Sequence, residues 1–245
     1  MKFFLVRPLS MLACLMLLPG IAVMAQETEP KVENKDEKAT AYEQRFDNQV
    51  REDLFAGFSG DEESLKKGMQ KCEDVLKENP KHAEAMVWRG AARVFLSGEA
   101  FQKGDVVNGM KLWNTGLADM DKAKKLEPDN IGVLIPRAAV LLPAGRNAPA
   151  IMGKPVIKRV REDFEQAYER QKNLLDELGE HPRGELRMGL ADVYRLIGES
   201  KKSREQLEAL VKEMPKSDYA AEAKEWLKAP PEKKLAHSCI GCHTE

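Results

Sequence analysis

Pro80, Pro128, Pro182 and Pro215 each fall where a helical apolar period stops. A proline inside a helix removes a backbone donor and clashes with the preceding turn, so each marks a boundary. Ahead of the first of them, Phe46, Val50, Leu54 and Phe58 recur at spacings of four and share one face. Gly57 and Gly60 follow as breakers. Asp61 then caps a second helix with Leu65, Met69, Cys72 and Leu76 on its stripe, and Asn79-Pro80 ends it. A helix is predicted over HAEAMVWRGAARVFLSG, ending near Gly98. FQKGDVVNG reads as a loop, and the next helix runs to about Leu126. IGVLIPRAAVLL reads as a shorter apolar helix kinked at Pro136. Segment 143–155 is rich in Pro and Gly and is predicted as a loop. A long amphipathic helix to about Leu178 follows, broken at His181-Pro182. Residues 184–197, 201–213 and 218–228 make the last three helices.

This is an array of about four helix pairs, and the fold class is all-α. In the last pair, Leu190, Ala191, Tyr194, Gly198, Leu207 and Pro215 sit at spacings that resemble the tetratricopeptide repeat (TPR). Met86, Gly90 and Ala123 hold similar phases in the unit closed by Pro128. There the turn between the helices is about 14 residues longer than the repeat allows. The unit closed by Pro182 carries the 143–155 insertion. The resemblance covers residues 41–228. It implies a TPR-like solenoid in which pairs stack, share one core and need a cap at the end. Tyr219, Ala223, Trp226 and Leu227 of AAEAKEWLK make that capping helix.

The ends differ from the array. Residues 1–25 read as a secretory signal. Lys2 and Arg7 are its basic start, Leu9 to Val23 its apolar run, and Val23-Met24-Ala25 the cleavage point before Gln26. Retention as an anchor is the alternative, but the run is short for a membrane span and broken by Pro19-Gly20. The mature chain then has no membrane span. Residues 26–40 are polar, without apolar period, and read as a disordered linker. The chain carries 39 basic and 40 acidic residues; losing Lys2 and Arg7 leaves 37 against 40, a net of −3. That balance excludes nucleic acid as an expected partner. A periplasmic or secreted location is expected.

Residues 229–245 form a separate C-terminal segment that ends Cys239-Ile240-Gly241-Cys242-His243-Thr244-Glu245. Cys-x-x-Cys-His is the attachment signature of c-type haem. The spacing lets one short turn present two sulfurs to the vinyl groups of one porphyrin. The histidine beside the second cysteine is placed to ligate the iron. Similarity to the c-type cytochromes thus implies one covalent haem c, held by Cys239 and Cys242, with His243 as the metal ligand. The sequence departs from those cytochromes by having only two residues after His243, where they carry a distal ligand. Met214, Met188, His181 and His82 are upstream candidates for the sixth position. Two other chemistries fit the same residues: zinc held by His237, Cys239, Cys242 and His243, or a dithiol/disulfide pair.

Elsewhere the chemistry is plain. Cys72 shares its face with Met69, Val75 and Leu76 and is expected to be a buried, inert thiol. Trp88, Trp113 and Phe101 are expected either in the core or lining a ligand groove. Arg89, Arg93, Arg137 and Arg146 either form a basic surface for an acidic tail or are paired. The 143–155 loop is a candidate binding loop. No Ser/His/Asp pattern, phosphate loop or dinucleotide fingerprint occurs. The expected function is an exported scaffold that binds a protein partner, such as another redox protein, through its helical array. It would carry electrons or sense redox state through the haem, as an electron carrier or scaffold; an open sixth position would also permit a haem enzyme such as a peroxidase, although no distal His or Arg arrangement can be read. The alternative is a periplasmic adaptor whose tail binds zinc or forms a disulfide.

Overall fold

A computed structural model describes residues 45–230 and 233–237. The expected signal over 1–25, the linker over 26–40 and the motif residues Cys239, Cys242 and His243 lie outside the described residues. Within them the chain is all-helical: α1 Phe46–Phe58, α2 Glu62–Glu78, α3 Ala83–Gln102, α4 Val106–Leu126, α5 Ile131–Asn147, α6 Ala150–Gln171, α7 Glu180–Leu196, α8 Ser200–Glu213 and α9 Asp218–Lys228. Successive helices pack as antiparallel pairs, and the first helix of each pair lies against the next unit. That makes four pairs and a cap, a TPR-like array.

Local chemistry explains the boundaries. The Asp61 carboxylate accepts hydrogen bonds from the backbone N–H groups of Glu63 and Ser64, satisfying donors at the start of α2. Gly104 and Gly198 turn the chain with φ of 79° and 82°, a region that costs glycine nothing. Phe46, Val50, Leu54, Phe58, Leu65, Cys72 and Leu76 are all buried, as their spacing predicts, with Met69 packed against them. One core runs from Phe46 to Tyr194. A second gathers Met188, Leu207, Leu210, Met214, Tyr219, Ala223 and Trp226 under the cap.

Three expectations are corrected. First, α3 does not stop near Gly98 but continues to Gln102, and only Lys103–Asp105 join it to α4. The surplus of the second unit therefore lies in helix length: α3 and α4 have 20 and 21 residues. Gly98 alone is too weak a breaker, costing about 1 kcal/mol relative to alanine. Second, the predicted loop 143–155 is mostly helix. α5 runs through Pro143 to Asn147, and α6 starts at Ala150 and contains Pro155. The glycines there serve helix contact: side chains of Val156 and Ile157 pack where Gly145 has none. Third, α6 ends at Gln171 rather than Leu178, and Pro182 falls in the first turn of α7. Proline is tolerated there because that N–H has no helical acceptor. Pro182 therefore opens a pair instead of closing one.

Candidate functional site

The extra turns of α3 and the facing α5 leave an apolar groove of about 960 Å³ between them. Phe55 and Phe58 of α1, Val94 and Phe95 of α3, Trp113 of α4 and Phe164 of α6 line its inner part. These rings hold one another. Phe55 meets Phe58 edge-on at 6.1 Å and Trp88 at 5.8 Å, and Phe58 lies 4.9 Å from Phe95. Phe101, Gln102, Val106 and Met110 come from the turns that lengthen the second unit. Val140, Pro143, Arg146 and Asn147 of α5, with Met152 of α6, make the opposite wall. Val107 and Ile151 are 83% and 87% exposed at the starts of α4 and α6, beside the groove residues Val106 and Met152.

At one end of the groove the C-terminal strap, residues 233–237, contributes Ala236 and His237 to the lining. The strap is fastened at several points. Arg195 donates through Nε and Nη2 to the Lys233 carbonyl, at 3.2 and 3.1 Å, and also to the Pro230 carbonyl. The His237 backbone N–H donates to Asp192 Oδ2 at 3.0 Å. The other oxygen of that carboxylate accepts from Arg146 Nη2 at 2.5 Å. His237 Nδ1 lies 2.8 Å from Glu222 Oε2, and its ring packs 5.8 Å from that of Tyr219. Tyr219 in turn hydrogen-bonds His181 Nδ1 through its hydroxyl at 2.7 Å. The strap thus ties α5, α7 and α9 to one end of the groove.

Electrostatics at this end follow from burial. Burial pushes the Asp192 carboxyl above its ordinary value, while Arg146 and the His237 N–H pull it back. Burial, then the charges of Arg51 and His237, hold the His181 imidazole below its usual range. Two buried nitrogens at this end have no hydrogen-bond partner among the described residues: His237 Nε2 and Arg146 Nε. Among the described residues no cluster of three His, Cys, Asp or Glu side chains stands ready for a metal.

The singled-out residues sort clearly. Trp88 and Trp113 are both buried, and Trp113 and Phe101 also line the groove, so the core and groove readings coexist in Trp113. The arginines do not form a free basic surface. Arg89 and Arg93 share Glu73 and Asp119, Arg137 bonds Asp121 and Asp163, and Arg146 bonds Asp192. Cys72 is fully buried, and burial pushes its thiol up to about 12. None of the four candidate sixth ligands lines the groove. Met188 and Met214 are packed in the second core, His82 caps α3 by accepting from the Ala85 N–H, and His181 is held by Tyr219. Met110 and Met152 do line it, and sequence reasoning missed them. Their only sequence signal is position: Met110 directly follows one loop-like stretch and Met152 lies inside the other.

No family model matches this chain, and no curated protein matches it. Among solved structures, a thermophilic TPR protein of Thermus thermophilus is similar, with a TM-score of 0.50 and 16% identity, over 67% of this chain and 74% of that one. The likeness shows the TPR-like fold. No helix of the described residues is long and apolar enough to cross a membrane.

Proposed function

We propose that this chain is an exported TPR-like scaffold that carries one covalent haem c at its C-terminus and docks a protein partner. Cys239 and Cys242 would hold the porphyrin through thioether bonds, and His243 would ligate the iron. The haem would supply one-electron redox chemistry. The scaffold's own residues do the positioning: Asp192, Glu222 and Arg195 fasten the strap that leads into the motif. The Cys-x-x-Cys-His spacing carries the reading, and the basic-apolar leader over 1–25 supports export to a compartment where such attachment takes place. Stacked helix pairs favour a protein partner, and the exposed Val107 and Ile151 offer it an apolar contact.

The test is a pyridine haemochrome spectrum of denatured protein, made with its own leader in a host with c-type maturation machinery, beside Cys242→Ala. A covalent c-type spectrum in the wild type that disappears in the variant is expected. No haem in either sinks the reading.

A second reading, a zinc-binding adaptor, draws on one observation. Glu222 holds His237 by Nδ1 and leaves Nε2 without a partner among the described residues, an arrangement common for metal-ligating histidines. Metal analysis of the purified protein separates the two, as iron or zinc.

A further inference from the structure

The groove and the root of the motif coincide, and we infer that the groove is the seat of the haem carried on residues 238–245. This inference rests on the haem reading above. His237 ends the described chain and is itself a groove wall, its side chain 3% exposed. Cys239 follows two residues later, within about 7 Å of backbone, and Cys242 within about 18 Å. The tether therefore begins at the groove and is short beside the array.

The chemistry of the groove matches a porphyrin. Its volume of about 960 Å³ lies at the upper end of the range of small-molecule and cofactor pockets, about 300–1,000 Å³. Its lining is mostly apolar and aromatic, suited to a flat hydrophobic ring, with Arg146 and His237 beside the strap and Ser97, Glu99, Gln102 and Asn147 as its other polar side chains. A porphyrin also carries two carboxylates. Arg146 already bonds Asp192 through Nη2, and its buried Nε has no partner among the described residues. Arg146 also lines the groove, which puts a cation there for a propionate. His237 Nε2 is the other buried nitrogen at this end without a partner among the described residues, on a ring that Glu222 fixes from behind.

A free partner peptide is the rival occupant. It would have to displace a group tethered at an effective concentration on the order of millimolar. The tether therefore favours the chain's own cargo.

Gly98 makes the inference testable. It lines the groove, and a Cβ added there meets nothing within 4 Å, so Gly98→Trp fills the groove without a clash at its root. Val106→Trp is the second blocking variant, because Val106 lines the rim and is 60% exposed. Wild type and both variants are produced full-length with c-type maturation. Haem per chain is read from the pyridine haemochrome, folding from far-ultraviolet circular dichroism, and seating from circular dichroism in the Soret band. Equal haem content and equal folding, with loss of the Soret dichroism in a blocking variant, are expected. Equal haem content with unchanged Soret dichroism in every folded variant overturns the groove seat and leaves attachment standing. Absence of covalent haem from the wild type overturns attachment and the seat together.

Discussion

A methyl group built on Gly153 would overlap the carbonyl oxygen of Gly145, so α5 and α6 meet backbone to backbone where they leave their connection. No side chain fits between them. The contact locks the two helices of the third pair together, and both contribute to the wall of the groove. It explains why a stretch rich in glycine and proline is helical here.

Gly153→Ala is expected to destabilise the protein by about 1–3 kcal/mol, the range for forcing atoms into a packed contact. Gly98→Ala, where the added carbon meets nothing, is expected to stabilise it by about 0.5–1 kcal/mol through helix propensity alone. Urea unfolding of the two variants checks the pair. Equal effects would show that propensity, rather than the crossing, governs both sites.

Asp192 joins Arg146 to the backbone of the strap and is 1% exposed. Asp192→Ala leaves a largely buried guanidinium without its carboxylate, and a loss of about 3–5 kcal/mol is expected. The strap should also loosen, so trypsin should cut faster after Lys233 and Lys234. Unchanged cleavage would mean that Arg195 and Glu222 hold the strap unaided.

Burial raises the Cys72 thiol from 9.0 to about 12. The native thiolate fraction at pH 8 is then roughly a thousandfold below that of the unfolded chain. Modification of Cys72 by a thiol reagent should therefore require opening of the α1–α2 pair. Folding disfavours this ionisation, so its stabilising contribution is full below pH 9 and is lost as pH rises towards 12. Labelling rates in native buffer and in denaturant, followed by mass spectrometry in a Cys239→Ser/Cys242→Ser background, measure the difference.

Acid should weaken the cap. The folded-state value of His181 lies below 6.5, held down first by burial and then by Arg51 and His237. A depressed histidine contributes stability that is present above the unfolded value and is lost as pH falls through the folded one. Thermal midpoints of wild type and His181→Gln, followed below pH 6.5, should converge towards low pH. A constant gap between them would remove His181 as a cause.

Much of the array was legible because burying one face leaves a periodic record. Phe46 to Phe58 and Leu65 to Leu76 announce their helices, Asp61 its cap, and Tyr219 and Trp226 the closing helix. Pro143, Gly145, Gly153 and Pro155 misled because the same residues that suit a loop also suit a tight helix crossing. Local composition does not distinguish the two.

The amino-acid sequence by itself determined the helix pairs and the cap, because local period and breakers are properties of neighbours along the chain; the haem proposal rests on the Cys-x-x-Cys-His spacing alone. Only the tertiary structure decided where the groove lies, that the arginines are paired, and that His237 lines it. Those facts depend on residues far apart in sequence: His237 meets Asp192 across 45 positions, and Arg146 meets the same carboxylate across 46. Such meetings are set by how whole helices stack, and the period of each helix carries no record of them.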